Sequence, residues 1–149
     1  MLRELDYLQA GLLDVDASQL AARLGGPTLI HLAGRRQQAL LVSVLMHGNE
    51  TTGWEAVRRL LPRFSGIDGR LDLPRSLSLF ISNVSAAAAG VRRLDGQPDY
   101  NRVWPGCEDS GTPEHALMQR VLDIMVSRGV FASVDVHNNT GLNPHYACV

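Results

Sequence analysis

Two residues of types that commonly bind metal ions, a histidine and a glutamate, stand three positions apart in the segment 47-HGNE-50. The segment follows an apolar run at residues 39–46 and precedes a helical pattern that begins at Thr51. Two histidines and one glutamate are a standard ligand set for catalytic zinc, which leaves one coordination position for water. His47 and Glu50 would supply two such ligands from one turn of chain, and Gly48 would let the backbone bend between them. His137, at the end of another strand pattern, is placed to supply the third.

The same pair also has a purely structural explanation. His47 and Glu50 can cap the helix that starts at Thr51, where the helix dipole favours an acidic residue. A His-x-x-Glu pattern is short and common, so by itself it favours capping. Metal binding becomes the stronger hypothesis only when other residues of the chain support it.

The elements that must position these residues follow from the hydrophobic pattern. Buried or alternating runs predict strands at residues 27–34, 39–46, 76–83 and 131–137. Apolar stripes and capping residues predict helices at residues 16–26, 51–61 and 113–129. Strands separated by helices predict an α/β domain, with three α/β/α layers and a mostly parallel, mixed sheet. Residues 84–111 show no strong period and predict a long loop, and long loops in compact domains are often functional.

Polar side chains follow three of the predicted strands at the point where each strand ends. These residues are His47, Asn83 and His137. Ligands of open α/β sheets bind at the carboxyl ends of the strands. We therefore expect the two histidines and Glu50 to converge at one edge of the sheet.

The long loop also concentrates positive charge. It contains Arg92, Arg93 and Arg102, in a chain whose formal net charge is −1. Arginine pairs with carboxylates through two parallel hydrogen bonds. Beside a metal site, these residues would suit an anionic substrate or a developing oxyanion. The alternative is a solvated basic loop.

Bulk properties narrow the function classes. The 149 residues suffice for one domain with a core. A near-neutral chain without long blocks of one charge argues against a nucleic-acid or membrane surface, and the N-terminal pattern is not that of a signal peptide. Cys107 and Cys148 form no paired motif, so two reduced thiols in a cytoplasmic protein are expected. His31 lies inside a predicted strand and is expected to pack in the core.

Three motifs in order resemble one family. They are 47-HGNE-50, 99-DYNRVWPG-106 and 135-DVHNNTG-141. Together they resemble the zinc carboxypeptidase superfamily in its succinylglutamate desuccinylase/aspartoacylase branch, over roughly residues 27–149. The resemblance implies the zinc carboxypeptidase-like fold, with His47, Glu50 and His137 as the ligands of Zn²⁺.

The resemblance also implies roles for the loop residues. Asn101 and Arg102 match the pair that binds the substrate carboxylate and helps to polarise the scissile carbonyl. Arg93 resembles an upstream arginine that faces the substrate or the oxyanion, although the spacing leaves Arg92 as an alternative. Asp99 resembles an aspartate that orients a zinc-binding histidine. After the third ligand, Asn138 and Thr140 are expected to line the substrate pocket.

The implied activity is hydrolysis of an amide bond in an N-acyl amino acid or small peptide with a free carboxylate. The general base of the family, a glutamate, is expected beyond Val149, so residues 1–149 are expected to be the N-terminal part of a catalytic domain. One alternative is a non-catalytic zinc- or ligand-binding relative without that base. Another is an esterase-like or structural domain without metal, which ligand groups more than about 6 Å apart would favour. An open sheet edge would invite pairing between copies of the chain.

Overall fold

Five strands form one mixed sheet in the computed structural model, which describes residues 1–67, 69–107 and 111–138. The strands are β1 (Arg3–Leu5), β2 (Thr28–Leu32), β3 (Leu40–Val44), β4 (Leu77–Ile81) and β5 (Ala132–Asp135). Their order in the sheet is β1-β2-β4-β3-β5. The pairs β1–β2, β3–β4 and β3–β5 are parallel, whereas β2–β4 is antiparallel. The predicted mixed, mostly parallel sheet is confirmed.

Within these described residues, four α-helices lie between the strands. They are α1 (Leu20–Leu24), α2 (Thr52–Leu60), α3 (Val84–Ala89) and α4 (Pro113–Ser127). Short 3₁₀ segments occupy Leu12–Asp14, Ala17–Gln19, Leu61–Phe64 and Tyr100–Arg102. The side chain of Thr112 accepts a hydrogen bond from the backbone N–H of His115 and so caps α4. No helix in the described residues combines the length and apolarity that a membrane crossing requires.

Side chains pack on both faces of the sheet, as alternation along buried strands requires. On one face, Leu79 and Ile81 of β4 join a cluster with Trp54 of α2 and Val84 of α3. On the other face, Phe80 joins a second cluster with Tyr100 and with residues of α4 such as Met118 and Val121. The sheet is therefore the middle layer of three.

Two elements differ from the sequence-based prediction. Strand β1 was not predicted, because three residues with a charged Arg-Glu pair carry no recognisable period. Helix α3 lies inside the segment predicted to be a loop. Its alanines favour a helix, Asn83 caps its start by accepting from the N–H of Ala86, and Gly90 ends it with a φ of 66°. A helix of six residues is too short to show a 3.6-residue period.

His31 packs in the core, as predicted. Its side chain is buried in β2, with Nδ1 2.9 Å from the Ser78 hydroxyl and Nε2 3.1 Å from a Glu4 carboxylate oxygen. Burial, followed by the positive charge of Arg128, lowers the pKa of His31. This histidine joins β1, β2 and β4 and lies outside the candidate metal site.

Candidate metal centre

The turn after β3 aims His47 at the carboxyl end of the sheet. Leu45 has a φ of 59°, a left-handed conformation that it alone adopts among the described residues other than glycine. Such a conformation costs about 1–3 kcal/mol and persists only where the surroundings enforce it. The Leu45 side chain is fully buried, and its carbonyl accepts a hydrogen bond from the N–H of Asn83 at 2.9 Å. Packing on β4 therefore holds the turn that precedes His47.

Gly48 is required by the close approach of another element. A Cβ atom at this position would lie 2.2 Å from the carbonyl carbon of Ala86 and 2.3 Å from the nitrogen of Ala87. Glycine was expected at position 48 so that the chain could bend tightly. The structure requires it for another reason, because the backbone of α3 leaves no room for a side chain. The N–H of Gly48 donates to the carbonyl of Arg92 at 3.0 Å. The turn is thereby fixed between α3 and the loop that carries the arginines.

His47, Glu50 and His137 converge on one point. One ligand atom of each residue lies within 4.8 Å of the other two. Nδ1 of His47 is 2.9 Å from Oε1 of Glu50, and Nδ1 of His137 is 2.8 Å from Oε2 of the same carboxylate. The side chains of His47 and Glu50 face each other and His137 rather than the start of α2. The N-cap of α2 is Thr51, and it makes no side-chain capping bond. The spacing suits one ion with metal–ligand bonds of about 2 Å.

An aspartate lies behind each of the two imidazoles. Nε2 of His47 is 3.0 Å from Oδ1 of Asp99, and Nε2 of His137 is 2.7 Å from Oδ2 of Asp135. A histidine that binds a metal through one nitrogen commonly donates its other N–H to a carboxylate, which fixes the ring and the tautomer. Both rings therefore present Nδ1 to the same space. This donor set fits zinc.

Asp135 was missed at the sequence level although a signal was present. Asp135 and His137 are separated by one residue at the end of a strand pattern, which places both side chains on the same side of the sheet. The motif 135-DVHNNTG-141 predicted a role for the histidine and none for the aspartate. The contact between the two side chains gives Asp135 a role equivalent to that of Asp99.

The cluster of His47, Glu50 and His137 is buried except on the side of His137. His47 and Glu50 are only 4% and 9% exposed, whereas the side chain of His137 is 30% exposed. The hydrogen bond to Asp135 raises the pKa of His137 against the effect of burial, and Glu50 raises it further, to about 9. Without metal, the protonated ring of His137 therefore donates to both carboxylates, to Asp135 through Nε2–H and to Glu50 through the proton on Nδ1. A bound cation would take the place of that proton.

Asp99 makes a pH-dependent contribution to stability. Burial raises the pKa of this carboxyl group, but hydrogen bonds from His47, the Asn101 N–H and Arg92 outweigh it and lower the pKa from 3.8 to about 2. Because the folded-state value is the lower one, the contribution is present above about pH 4 and is lost as the pH falls through 2. It corresponds to roughly 2 kcal/mol at neutral pH.

We expect Asp99→Asn to remove most of this pH dependence in protein treated with a chelator. Urea unfolding of both proteins between about pH 6 and about pH 2.5 measures it, since the difference between the two free energies of unfolding should shrink by more than about half at the acidic end. Parallel curves for the wild type and the variant would contradict the assignment of the low pKa to Asp99.

Of the two adjacent arginines, the structure brings Arg92 to the cluster. Arg92 donates to Oδ2 of Asp99 at 3.0 Å and to Oε1 of Glu50 at 3.4 Å. Arg93 is exposed, and in the part of the chain that the structure describes it donates to the carbonyl of Gln97, at 3.4 Å. A role for Arg93 at the substrate stays a prediction, and the geometry favours Arg92 for it.

The remaining predicted residues differ in how close they come to the ligands. The amide nitrogen of Asn101 lies 3.1 Å from Nε2 of His137, and the backbone N–H of Asn138 donates to Oε2 of Glu50 at 3.1 Å. Arg102 is exposed and donates to the carbonyl of Asn101 at 3.3 Å. Thr140 lies outside the described residues. Asn83 lies just after the end of β4, as expected, where it caps α3 and donates its side-chain amide to Gln97.

Comparisons with known proteins agree with this geometry. A model of the succinylglutamate desuccinylase/aspartoacylase catalytic domain matches residues 36–140. A solved structure, the succinylglutamate desuccinylase from Chromobacterium violaceum, is 28% identical, with a TM-score of 0.55 over 69% of this chain and 34% of that chain. This chain thus spans about a third of the length of that protein. A comparison with curated proteins gave no match. Because the matched range contains His47, Glu50 and His137 and the fold is shared, the chain belongs to the succinylglutamate desuccinylase/aspartoacylase catalytic domain family.

Proposed function

We propose that this chain carries the metal site of a zinc-dependent hydrolase that cleaves an amide bond of an N-acyl amino acid or small peptide with a free carboxylate. The observation that carries the proposal is the convergence of His47, Glu50 and His137, with an aspartate behind each imidazole. Zinc held there would polarise the scissile carbonyl and lower the pKa of a bound water. Family membership supports the same reaction class.

Positive side chains beside the ligands support an anionic substrate. Arg92 holds Glu50 and Asp99 in place, and half of its side chain is still exposed. Arg102 is engaged only with a backbone carbonyl in the described residues, so most of its N–H donors are available. We propose that Arg102 binds the substrate carboxylate in a two-bond arrangement, with Asn101 beside it. Such contacts orient the amide towards the open side of the cluster.

A non-catalytic zinc-binding role is the second candidate. Every carboxylate described next to the ligands already has a partner. Glu50 faces both histidines, Asp99 holds His47 and Arg92, and Asp135 holds His137. None of these three is free to act as a general base, a role that typically contributes about 10²–10⁴-fold to a rate. The base must then come from another part of the protein, or turnover is absent.

Hydrolysis of defined substrates tests the proposal. The zinc-loaded chain, and the protein with any sequence that follows Val149, are incubated with N-succinyl and N-acetyl amino acids, and the released amine is quantified. We expect turnover by this chain or by the longer protein. Replacing the free carboxylate of the substrate with a carboxamide should lower that turnover by about 10- to 10²-fold, since the charge-assisted hydrogen bonds from Arg102 are then lost. Stoichiometric zinc with no turnover by either protein would favour the non-catalytic role.

The cellular location and the assembly state remain predictions. Cytoplasmic location follows only from the sequence. The residues of β5 are exposed, and within the described residues β3 is its one partner strand. Pairing of two copies through this edge is the form that we propose for a homo-oligomer, and sedimentation that gives a monomer at all concentrations would exclude it.

A further inference from the structure

One side chain fixes the loop that serves the metal centre. The side-chain oxygen of Gln97 accepts hydrogen bonds from the amide of Asn83 at 2.8 Å and from the N–H of Leu94 at 3.1 Å. Its amide nitrogen donates to the hydroxyl of Tyr100 at 3.2 Å. The Gln97 side chain thus connects Asn83, just after β4, to Leu94 and Tyr100, which lie before and after Gln97 in the loop.

The side-chain partners of Gln97, Asn83 and Tyr100, are both buried. Asn83 is 1% exposed, and its side-chain oxygen accepts from the N–H of Ala86 at 3.2 Å. Its backbone N–H donates to Leu45, within the turn that leads to His47. Tyr100 is also buried, in the cluster beneath α4. Because buried groups hold both ends of the Gln97 side chain, they also fix the position of the neighbouring loop residues.

The residues next to Gln97 reach the metal ligands directly. Asp99 follows it by two positions and contacts Nε2 of His47. Asn101 donates its backbone N–H to the same carboxylate, Oδ1 of Asp99, at 3.0 Å. At the other end of the loop, the carbonyl of Arg92 receives the N–H of Gly48. The placement of Asp99 against His47 therefore depends on how the loop is seated.

We propose that Gln97 is a positioning residue for the metal centre, which acts through Asp99 on the orientation of His47. The inference rests on the proposed zinc site. A role in loop stability alone would not involve Asp99, whereas positioning requires that the effect of Gln97 on zinc affinity depend on Asp99. No step of the reaction is assigned to Gln97 itself.

Zinc affinity, measured by competition with a chromogenic chelator, tests this role. Gln97→Met keeps the length of the side chain but removes its three hydrogen bonds, and Gln97→Ala removes them with the side chain. We expect both to weaken zinc binding by about 10-fold, the lower end of the effect of outer-shell partners. Gln97→Glu keeps the acceptor for Asn83 and Leu94 and should stay within about 3-fold of the wild type. Gln119→Ala, which removes an amide bonded to Asp123 on α4, is the control and should change nothing.

A double-mutant cycle separates positioning from general loop stability. If Gln97 acts through Asp99, Gln97→Met should have almost no further effect on zinc affinity in an Asp99→Ala background. A full loss in that background, or unchanged affinity in both Gln97 single variants, would overturn the inference while leaving the zinc site intact. Absence of stoichiometric zinc in the wild type would instead reject the proposed site, and this inference with it.

Discussion

Replacing His47 with alanine is expected to lower zinc affinity by more than about 100-fold, beyond the range for loss of an outer-shell partner. The reason is geometric. His47 is nearly fully buried, and its Nδ1 faces the same carboxylate as Nδ1 of His137. No other described histidine is near enough to replace it, and two remaining ligands make a weak site.

Zinc content after dialysis and the competition titration measure this effect. His115→Ala is the matched control, because His115 lies on α4 and its Nδ1 is 3.1 Å from the carbonyl of Val103. The control should retain about one zinc per chain. Equal zinc binding by the His47 and His115 variants would mean that the metal is held elsewhere.

The substitution Gly48→Ala should cost about 3 kcal/mol or more of unfolding free energy, at the upper end of the effects of overpacking. The new methyl group would meet backbone atoms of Ala86 and Ala87 at 2.2 and 2.3 Å. Backbone in a capped helix cannot swing aside as the end of a side chain can. Either α3 or the turn that carries His47 must shift, so zinc affinity should fall together with stability.

Urea unfolding of the metal-free protein isolates the stability effect of this substitution. Gly26→Ala is the control, since the atom closest to its new methyl group is the carbonyl oxygen of Met1 at 3.9 Å, an ordinary contact. That variant should differ from the wild type by less than about 0.5 kcal/mol. A Gly48 variant as stable as the Gly26 variant would show that α3 does not approach the turn so closely.

Much of the architecture could be predicted because its signals are local. A continuous apolar run predicts the buried strand β3, and the helical spacing of Trp54 and Val57 predicts α2. The antiparallel pairing of β2 with β4 had no such signal, because it depends on contacts between residues about fifty positions apart. Strand β1 and helix α3 are too short for a period to appear.

Some residues of the candidate site could likewise be predicted from the sequence, and others could not. The types and order of His47, Glu50 and His137 were sufficient to predict a ligand set, and family motifs pointed to Asp99. The choice between Arg92 and Arg93 was not predictable, because adjacent side chains on an irregular loop have no fixed direction. Gln97 gave no signal at all, since its partner Asn83 is fourteen positions away.

The metal-free cluster is arranged for a cation rather than only for stability. Two imidazoles turn the same nitrogen towards Glu50, and an aspartate fixes the opposite nitrogen of each ring. Holding three carboxylates this close together costs electrostatic energy, which Arg92 and the proton on His137 offset. A divalent ion would replace that proton and stabilise the same arrangement more strongly.

The most direct test of this account is anomalous diffraction at the zinc absorption edge from crystals of the zinc-loaded protein. We expect one strong peak about 2.0–2.2 Å from Nδ1 of His47, a carboxylate oxygen of Glu50 and Nδ1 of His137. Zinc bound through other residues, or crystals in which these three side chains contact no metal at saturating zinc, would contradict it.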